Sequence, residues 1–593
     1  MSIFSENKPA SERFDPVKLA VLAGRFDAVV RTMTHTLERS ARSTIITTGR
    51  DFSCCVVTAG NELLAVAESL PTHVFSGPDL MARSMVEFHQ DLRPGDAFLH
   101  NSPYHGNSHA ADLSILVPVF DDQGRHRFTV LSKAHQADIG NAEPTTYSGM
   151  ARDVYEEGAL IFPCVRVQRD YSDIDDIIRM CQMRIRVPDH WWGDYLALLG
   201  SARVGERSLH ALAAEVGWDE LDRFVDAWFD YSEAAMAHAI DKLPEGQITV
   251  HATADPYERV PGGVPVNVDV KVDHGRVVID LRDNLDCQPF GLNLTEATAN
   301  SAAMMGVFNA LHAKVPPNAG SFRRLEVLLR ENCVVGIPRH PASCSVATLY
   351  LLDRVANAVQ RGIAELSPGF GMAEVGPSFP GSVSVISGRD SRYGDRPFID
   401  QIMLGWTGGA GSPYADGWLM MAGIGDAGAI KRDSIEIDEV RFPLRIDRHE
   451  LVADTEGAGA YRGAPSAAVE ITVVDDPVEF MYMSDGTVNP ALGANGGGPG
   501  APATQQVRRA DGSIETHGSC GRFVVNPGET MLSRCCGGGG YGDPRTRDAE
   551  RVRADVEAGV VSRRRAADVY GVVIGADGTV DPDGTARLRM LTD

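Results

Sequence analysis

The histidines and aspartates of residues 99–140 are the residue types in this chain best suited to bind a divalent metal ion. Most of them lie in a loop between two apolar segments, and the others follow the next apolar segment. They are His100, His105, His109, Asp112, His135 and Asp138. Neutral imidazole and carboxylate are the ligands that a catalytic divalent ion prefers, with one position left for water or substrate. The sequence therefore predicts a metal centre, and hydrogen-bonded structural histidines are the alternative.

A predicted β-hairpin brings the two parts of this stretch together. Leu113–Phe120 and Phe128–Ser132 are apolar segments, and the sequence Asp-Asp-Gln-Gly between them is typical of a turn. Antiparallel neighbours lie about 5 Å apart. Asp112 and His135 stand at the two strand ends, so we expect them side by side, with His109 converging on the same point.

Other residues are candidates for supporting roles. Asp51 precedes another predicted strand and is a candidate for a fourth, oxygen ligand. His105 is an alternative to His109 in the ligand set. Asp138 would serve either as a ligand or as an acceptor that orients an imidazole. His73, which follows a predicted strand, is a candidate general base, with a structural histidine as the alternative.

The glycine-rich segments do not indicate a nucleotide site. A P-loop needs Gly-Lys-Ser/Thr, and none of the lysines follows a glycine. Gly423–Gly428 matches GxGxxG, but Lys-Arg-Asp follows where an amphipathic helix should begin. We expect turn-rich segments at which backbones approach closely, here and at 408–411 and 496–498. The alternative is that these loops offer backbone N–H groups to an anion.

The composition is that of a soluble globular protein. The 593 residues carry 56 Lys+Arg and 80 Asp+Glu, a net charge of −24, which argues against nucleic acid as a partner. Apolar runs such as Leu113–Phe120 are far shorter than the roughly 20 residues of a spanning helix. Residues 1–13 lack the apolar core of a secretory signal. The cysteines show no CxxC spacing and are typical of reduced thiols. We therefore expect a cytoplasmic protein that does not bind membranes.

The patterns along the chain predict a mixed α/β (α+β) fold with several subdomains. Residues 1–245 contain the metal-site region and a helical block, which ends at Pro-Glu-Gly. Residues 246–439 are mixed α/β and glycine-rich, 440–545 are β-rich, and 546–593 form a helical tail. The predicted helices are Pro16–Arg42, Ile174–Ile185, Trp191–Val216, Leu221–Lys242, Thr295–Lys314, Val346–Glu365, Asp548–Glu557 and Ser562–Val569. The C-terminal half is therefore expected to be dominated by strands.

The chain resembles the hydantoinase B / oxoprolinase family almost from end to end. The resemblance is carried by short motifs whose order and number together are specific. They are Ser40–Ser43, Asp51–Cys54, Asn101–Tyr104, Gly106–Asp112, His135–Gly140, Glu157–Gly158, Pro317–Gly320, Glu439–Arg445, Gly457–Gly463 and Gly537–Pro544.

The resemblance implies a catalytic B-type subunit that acts with a separate ATP-binding, hydantoinase A-type subunit in a hetero-oligomer. The family's metal-binding positions correspond here to Asp51, His109, Asp112 and His135. They imply a divalent ion (Zn, Mn or Fe), with ATP and Mg at the partner subunit. The chain departs from the family pattern at two positions: Ser102 replaces an Asp, and Gln136 often corresponds to a second histidine.

Three functions follow from the resemblance. The first is ATP-dependent, metal-dependent hydrolysis of a cyclic amide of the hydantoin, lactam or 5-oxoproline type, with Asp138 or His73 as the proton acceptor. The second is ATP-dependent ketone carboxylation, as in acetone and acetophenone carboxylases. The third is a scaffold subunit whose site has been lost, as the departures at Ser102 and Gln136 allow.

Overall fold

A computed structural model of the chain describes residues 14–311 and 313–590. Residues 1–13, on which the prediction about a secretory signal rests, lie outside the described residues. The chain divides into two compact units. The first comprises Met1–Gln247, Asp269–Phe308 and Ala313–Thr348, and the second comprises Ile248–Val268, Asn309–His312 and Leu349–Asp593. The predicted division at residues 245, 439 and 545 stays a prediction.

Helices and strands alternate along the described residues, which confirms the predicted mixed α/β class. The helices are α1 (Pro16–Ser40), α2 (Thr44–Thr47), α3 (Pro71–Val74), α4 (Pro78–Phe88), α5 (Val154–Glu157), α6 (Asp175–Arg184), α7 (Pro188–Val216), α8 (Trp218–Ile240), α9 (Glu296–Ala310), α10 (Ala319–Phe322), α11 (Leu351–Leu366), α12 (Ile435–Arg441), α13 (Ala549–Glu557), α14 (Arg563–Asp568) and α15 (Pro582–Met590). The strands are β1 (Phe52–Thr58), β2 (Leu63–Val66), β3 (Ala97–His100), β4 (Asp112–Phe120), β5 (His126–His135), β6 (Val165–Arg169), β7 (Ser172–Asp173), β8 (Gly246–Ala254), β9 (Val264–Asp273), β10 (Arg276–Asp280), β11 (Leu325–Leu328), β12 (Val385–Asp390), β13 (Arg396–Gln401), β14 (Leu444–Leu451), β15 (Ala467–Val473), β16 (Val478–Met483), β17 (Thr504–Arg508), β18 (Ile514–His517), β19 (Cys520–Val525) and β20 (Thr530–Arg534).

The central sheet of the first unit is antiparallel, with the strand order β2-β1-β5-β4-β3-β6-β7. β4 and β5 are the two arms of the predicted hairpin, and Asp112 is the register partner of His135. β1 pairs with the other edge of β5, where Phe52 lies opposite Ala134. Asp51 directly precedes β1, and its carbonyl accepts a hydrogen bond from the His135 N–H at 3.1 Å. The sheet therefore places Asp112 beside His135, as predicted, and also brings Asp51 next to His135.

Helices cover both faces of this sheet, which explains the continuous apolar runs of its inner strands. Side chains of α1 and α7 share one hydrophobic core with Val56, Ile115 and Val117. Side chains of α4 form a second core with Cys55 and Leu116. The sequence patterns do not predict helix α4. Strands β4 and β5 are thus held on both sides, and the site at their ends has a rigid support.

Helix α1 shows why the first helix is easy to predict. The Asp15 side chain caps it by accepting from the Lys18 N–H at 2.8 Å, and Pro16 occupies the first turn. Phe26 and Val30 lie on its buried face. The predicted helix extends over Pro16–Arg42, whereas α1 ends at Ser40.

Two later helices begin or end away from their predicted bounds. The periodicity predicts Thr295–Lys314 and Val346–Glu365, whereas α9 and α11 cover shorter ranges. Tyr350 immediately precedes α11 and has a φ of 57°, in the left-handed region. The chain turns at this residue, so the apolar residues before it do not belong to the helix.

The second unit contains two antiparallel sheets, with the orders β13-β12-β16-β19 and β14-β15-β20-β17-β18. Residues of both sheets share one hydrophobic core, which includes Ile386 and Phe480 from the first sheet and Ile471 and Met531 from the second. This arrangement confirms the predicted β-rich character of the C-terminal half.

Glycine-rich segments of the second unit lie backbone to backbone. A Cβ on Gly463 would lie 2.0 Å from the Gly538 carbonyl oxygen. The Gly463 N–H donates to the Gly457 carbonyl at 2.8 Å, and the Gly457 N–H donates to Gly538 at 2.9 Å. Gly423–Gly428 is a turn-rich segment, and the next helix starts only at Ile435. A Cβ on Gly408 would lie 2.4 Å from the Gly538 nitrogen, and one on Gly497 would lie 2.0 Å from the Gly540 carbonyl oxygen, which confirms close backbone approach at 408–411 and 496–498. At Gly423 the nearest atom is the Ser378 hydroxyl oxygen, so the close approach there is to a side chain. Anion binding by these loops stays a prediction.

Among residues 14–311 and 313–590, no helix combines the length and apolar character that a membrane span requires.

Candidate metal centre

Asp112 lies at the centre of three imidazole rings in the first unit. His109 Nε2 is 3.0 Å from Asp112 Oδ1, and His135 Nδ1 is 3.1 Å from the same oxygen. His73 Nε2 is 3.1 Å from the second oxygen, Oδ2. Asp112 is 0% exposed, and the three rings are also buried. The arrangement therefore concentrates one carboxylate and three imidazoles in a space that excludes bulk water.

Different elements bring these side chains together. Asp112 begins β4 and His135 ends β5, so their pairing in the hairpin fixes both residues. His109 lies in the loop before β4, and its carbonyl accepts from the Asp112 N–H at 3.2 Å. His73 lies in the short helix α3. The hairpin supplies two members of the cluster, and neighbouring segments supply the other two.

The outer hydrogen bond of His109 fixes its tautomer. Its Nδ1 lies 2.7 Å from the backbone carbonyl oxygen of Ser345. A carbonyl can only accept, so in the neutral ring Nδ1 carries the hydrogen and Nε2 carries a lone pair. The Ser345 segment is itself held in place, because the neighbouring Ser343 hydroxyl donates to Glu157 Oε2 at 2.7 Å. His109 therefore directs an electron pair towards Asp112.

His135 is fixed in the opposite tautomer by Thr146. The Thr146 hydroxyl donates its hydrogen to the Gln136 carbonyl at 2.5 Å, so its oxygen is able to accept. His135 Nε2 lies 3.1 Å from this oxygen and is therefore the protonated nitrogen. In the neutral ring Nδ1 then carries the lone pair, and it also faces Asp112 Oδ1.

These contacts fit a bound cation. Two imidazole lone pairs directed at one carboxylate oxygen repel it unless a proton or a metal ion lies between them. One ligand atom from each of His109, Asp112 and His135 lies within 4.8 Å of the other two. Two neutral imidazoles and a carboxylate are a ligand set typical of catalytic divalent ions.

The electrostatics of the three ligands agree with this fit. Burial raises the pKa of Asp112, but the positive charge that His109 and His73 can carry outweighs it and holds the pKa well below its ordinary value. Burial lowers the pKa of His135 and favours the neutral ring that a metal ion needs. Burial also opposes the charged form of His109, but Asp112 raises its pKa above the ordinary value. The Asp112 carboxylate that stabilises a proton on His109 Nε2 would stabilise a metal cation at the same nitrogen.

Asp51 and His73 lie beside the three-ligand cluster. The carboxylate of Asp51 is 6% exposed, and its Oδ1 is 3.8 Å from His73 Nε2. His73 Nδ1 lies 3.2 Å from the Ser53 hydroxyl. Burial lowers the pKa of His73 more than Asp112 raises it. The structure thus brings both predicted residues to the site, with Asp51 adjacent to the three clustered ligands.

The carboxylate of Asp138 is held by Arg186 and is not part of the three-ligand cluster. It accepts hydrogen bonds from the Arg186 backbone N–H at 2.5 Å and from Gly140 N–H at 2.9 Å. The Arg186 guanidinium lies 3.3 Å from Oδ1. These contacts anchor the loop after β5, and they do not support the predicted roles of Asp138 as ligand, imidazole acceptor or base.

Residues 15–544 match the family model of hydantoinase B/oxoprolinase. The chain belongs to the hydantoinase B/oxoprolinase family. The resemblance expected from the sequence motifs is thereby confirmed over most of the chain.

Similar proteins match this chain over nearly its whole length. The caprolactamase beta subunit of Pseudomonas jessenii is 28% identical over 97% of this chain and 99% of that protein. A putative D-/L-hydantoinase B subunit of Pseudomonas sp. (strain NS671) is 28% identical over 98% of this chain and 99% of that protein. The crystal structure of ATP-dependent caprolactamase from P. jessenii superposes with a TM-score of 0.87 at 25% identity, covering 97% and 99% of the two chains. A nucleotide-free acetone carboxylase structure has a TM-score of 0.85 at 20% identity, covering 97% of this chain and 82% of that one, and shows the shared fold.

Ser102 and Gln136, the two positions expected to depart from the family pattern, form hydrogen bonds outside the three-ligand cluster. Ser102 Oγ lies 2.8 Å from His105 Nδ1. His105 therefore pairs with Ser102, and His109 is the loop histidine within the three-ligand cluster. The Gln136 amide donates to the Ala134 carbonyl at 3.2 Å.

Four residues around the centre were not predicted. Thr146 and Ser345 set the histidine tautomers. Ser108 donates a short hydrogen bond to Asp112 Oδ2. Lys133 is 0% exposed, and burial lowers its pKa to about 8. Lys133 lies in β5 beyond the predicted strand Phe128–Ser132, so no sequence signal indicated that it is buried.

Proposed function

We propose that this chain is the catalytic B-type subunit of an ATP-dependent hydrolase of cyclic amides such as hydantoins, lactams or 5-oxoproline. The observation that supports this function is the buried cluster of His109, Asp112 and His135, with both imidazole lone pairs directed at one carboxylate oxygen. It occurs in a chain that matches a caprolactamase beta subunit and a putative hydantoinase B subunit almost from end to end.

The proposed metal ligands are His109 Nε2, His135 Nδ1 and Asp112 Oδ1, with Asp51 as the fourth. Such a set suits Zn, Mn or Fe. A bound divalent ion lowers the pKa of coordinated water towards about 7 and polarises a carbonyl oxygen. The chain contributes the fixed tautomers and a site that excludes bulk water.

His73 is the proposed proton acceptor. Burial lowers its pKa and so favours the neutral ring, which is the form that a general base needs. Its Nε2 lies 3.1 Å from Asp112 Oδ2 and 3.8 Å from Asp51 Oδ1. Both carboxylates would stabilise the imidazolium ion that forms. Asp138 is assigned a structural role, because Arg186 holds its carboxylate.

Amide activation is proposed to come from a separate ATP-binding subunit of the hydantoinase A type. A cyclic amide resists water because its carbonyl is resonance-stabilised and its nitrogen is a poor leaving group. Phosphorylation of the amide oxygen would make the carbonyl carbon electrophilic. The sequence has no Gly-Lys-Ser/Thr motif to bind ATP phosphates. This absence agrees with the family resemblance, which implies that ATP and Mg bind to the partner in a hetero-oligomer.

The test is an assay of the purified chain with and without its ATP-binding partner. Phosphate release and ring opening are measured on a panel of hydantoins, lactams and 5-oxoproline. The expected result is turnover only with both subunits and ATP, lost in His109→Ala. Turnover restricted to ketones with bicarbonate would instead show a carboxylase.

Metal analysis separates an active centre from a scaffold. We expect about one equivalent of divalent metal per wild-type chain and much less in His109→Ala. Equal metal content in the two proteins would remove the proposed ligand set, and absence of stoichiometric metal from both would indicate a scaffold.

A further inference from the structure

Lys133 is a buried cation directly behind the metal centre. It lies in β5, two residues before His135, and its side chain is 0% exposed. Its Nζ lies 3.3 Å from Ser108 Oγ and 3.4 Å from the His73 carbonyl oxygen. A buried ammonium group is costly unless it donates hydrogen bonds. The two acceptors it uses both belong to segments that carry site residues.

The contact with Lys133 determines the direction of the Ser108 hydroxyl. An ammonium group has donors and no acceptor, so Ser108 Oγ must accept from Lys133. The single hydroxyl hydrogen of Ser108 is then left for another acceptor. That acceptor is Asp112 Oδ2, with which Ser108 forms a short hydrogen bond. The hydrogen bonds thus follow one direction, from Lys133 through Ser108 to Asp112.

This direction gives the two oxygens of Asp112 different environments. Oδ2 accepts from Ser108 and faces His73. Oδ1 faces the lone-pair nitrogens of His109 and His135. The carboxylate therefore presents one oxygen to the ligand cluster, and its rotation would exchange these roles.

We propose that Lys133 is a positioning residue that acts through Ser108 to hold the Asp112 carboxylate with Oδ1 towards the two ligand nitrogens. This inference rests on the proposed function, since it concerns the metal centre of that site. The hydrogen-bonded partners of metal ligands contribute about 10- to 100-fold to metal affinity.

A purely electrostatic role of Lys133 predicts the opposite sign. A positive charge beside the centre repels a metal cation, so its removal would strengthen metal binding. Positioning through Ser108 predicts weaker binding when Lys133 is removed. The direction of the change in affinity therefore distinguishes the two roles.

The experiment measures Zn²⁺ and Mn²⁺ affinity of the full chain by competition with a chromophoric chelator. The proteins are wild type, Lys133→Met, Ser108→Ala, the double variant, and Ser108→Thr, which keeps the hydroxyl. We expect about tenfold weaker metal binding for Lys133→Met and for Ser108→Ala. The double variant should bind no more weakly than Ser108→Ala, and Ser108→Thr should stay close to wild type. Co²⁺ bound in place of Zn²⁺ reports the ligand geometry through its visible absorption. This spectrum should change in the same way in Lys133→Met and Ser108→Ala.

Two results would overturn the inference: tighter or unchanged binding in Lys133→Met, or losses that multiply in the double variant. Circular dichroism and thermal unfolding check that each variant folds. If Lys133→Met does not fold, Lys133→Leu, which also lacks the donor and the charge, takes its place with the same expected weakening. A wild-type chain that binds none of these ions would refute the metal centre itself, whereas a metal-binding wild type with unaffected variants refutes only the role of Lys133.

Discussion

Replacing Thr146 by valine should change the tautomer of His135, a proposed metal ligand, while leaving every proposed ligand in place. In the wild type, the Thr146 oxygen accepts from His135 Nε2 at 3.1 Å and so keeps the Nδ1 lone pair for the metal. In Thr146→Val the Nε2–H group faces a methyl group. The other neutral tautomer, with its hydrogen on Nδ1, can donate to Asp112 Oδ1 and becomes the favoured form.

The size of the effect follows from the hydrogen bond that this variant cannot form. The bond itself contributes about 1 kcal/mol, and a buried N–H group left without an acceptor costs about 1–3 kcal/mol. The metal must restore the unfavourable tautomer before His135 can bind it. We therefore expect metal affinity to fall by about 10- to 100-fold, or about 1.4–2.8 kcal/mol.

The assay is chelator competition at a fixed pH, and Thr145→Val is the matched control. Thr145 is also buried, and its hydroxyl likewise donates to a backbone carbonyl, that of Tyr147 at 2.9 Å. Thr145→Val should lose a similar amount of folding stability and keep wild-type metal affinity. Equal affinities of Thr146→Val and Thr145→Val would refute the assignment of the His135 tautomer.

Three further predictions concern other parts of the chain. Asp138→Asn should lower the free energy of unfolding by about 2 kcal/mol, because it weakens the contacts to Arg186, and should leave metal affinity unchanged; a loss of metal in this variant would contradict the structural role. Metal affinity should fall as pH decreases from 8 to 5, because the raised pKa of His109 means that protons compete for Nε2 already near neutrality; a flat profile would exclude His109 as a ligand. Gly463→Ala should destabilise the fold by about 3 kcal/mol, since its Cβ would lie 2.0 Å from a carbonyl oxygen, whereas Gly518→Ala, with open space around its Cβ, should unfold near the wild-type temperature.

The hairpin was predictable because its information is local. The turn between two apolar segments sets the antiparallel register, and that register places Asp112 beside His135. His109 follows from its position three residues before Asp112. The prediction of His109, Asp112 and His135 therefore depended only on the hairpin formed by β4 and β5.

The partners of these ligands were not predictable because they come from distant parts of the chain. The Ser345 carbonyl reaches His109 across more than two hundred residues, and backbone carbonyls carry no sequence signal. Asp138 was predicted at the site because it follows His135 closely, but Arg186 determines where its carboxylate lies. Lys133 was not predicted because a charged residue in a strand is usually exposed, whereas this strand is buried on both faces.

The contacts between glycine backbones have a consequence for the order in which the protein can form. The Gly411 N–H donates to the Gly539 carbonyl at 2.8 Å, and the Gly408 N–H donates to Cys536 at 3.0 Å. During synthesis, residues 408–411 leave the ribosome long before residues 536–539 are made. The second unit therefore cannot complete these backbone pairs until residues 536–539 have also left the ribosome, and residues 408–411 wait for them without these partners.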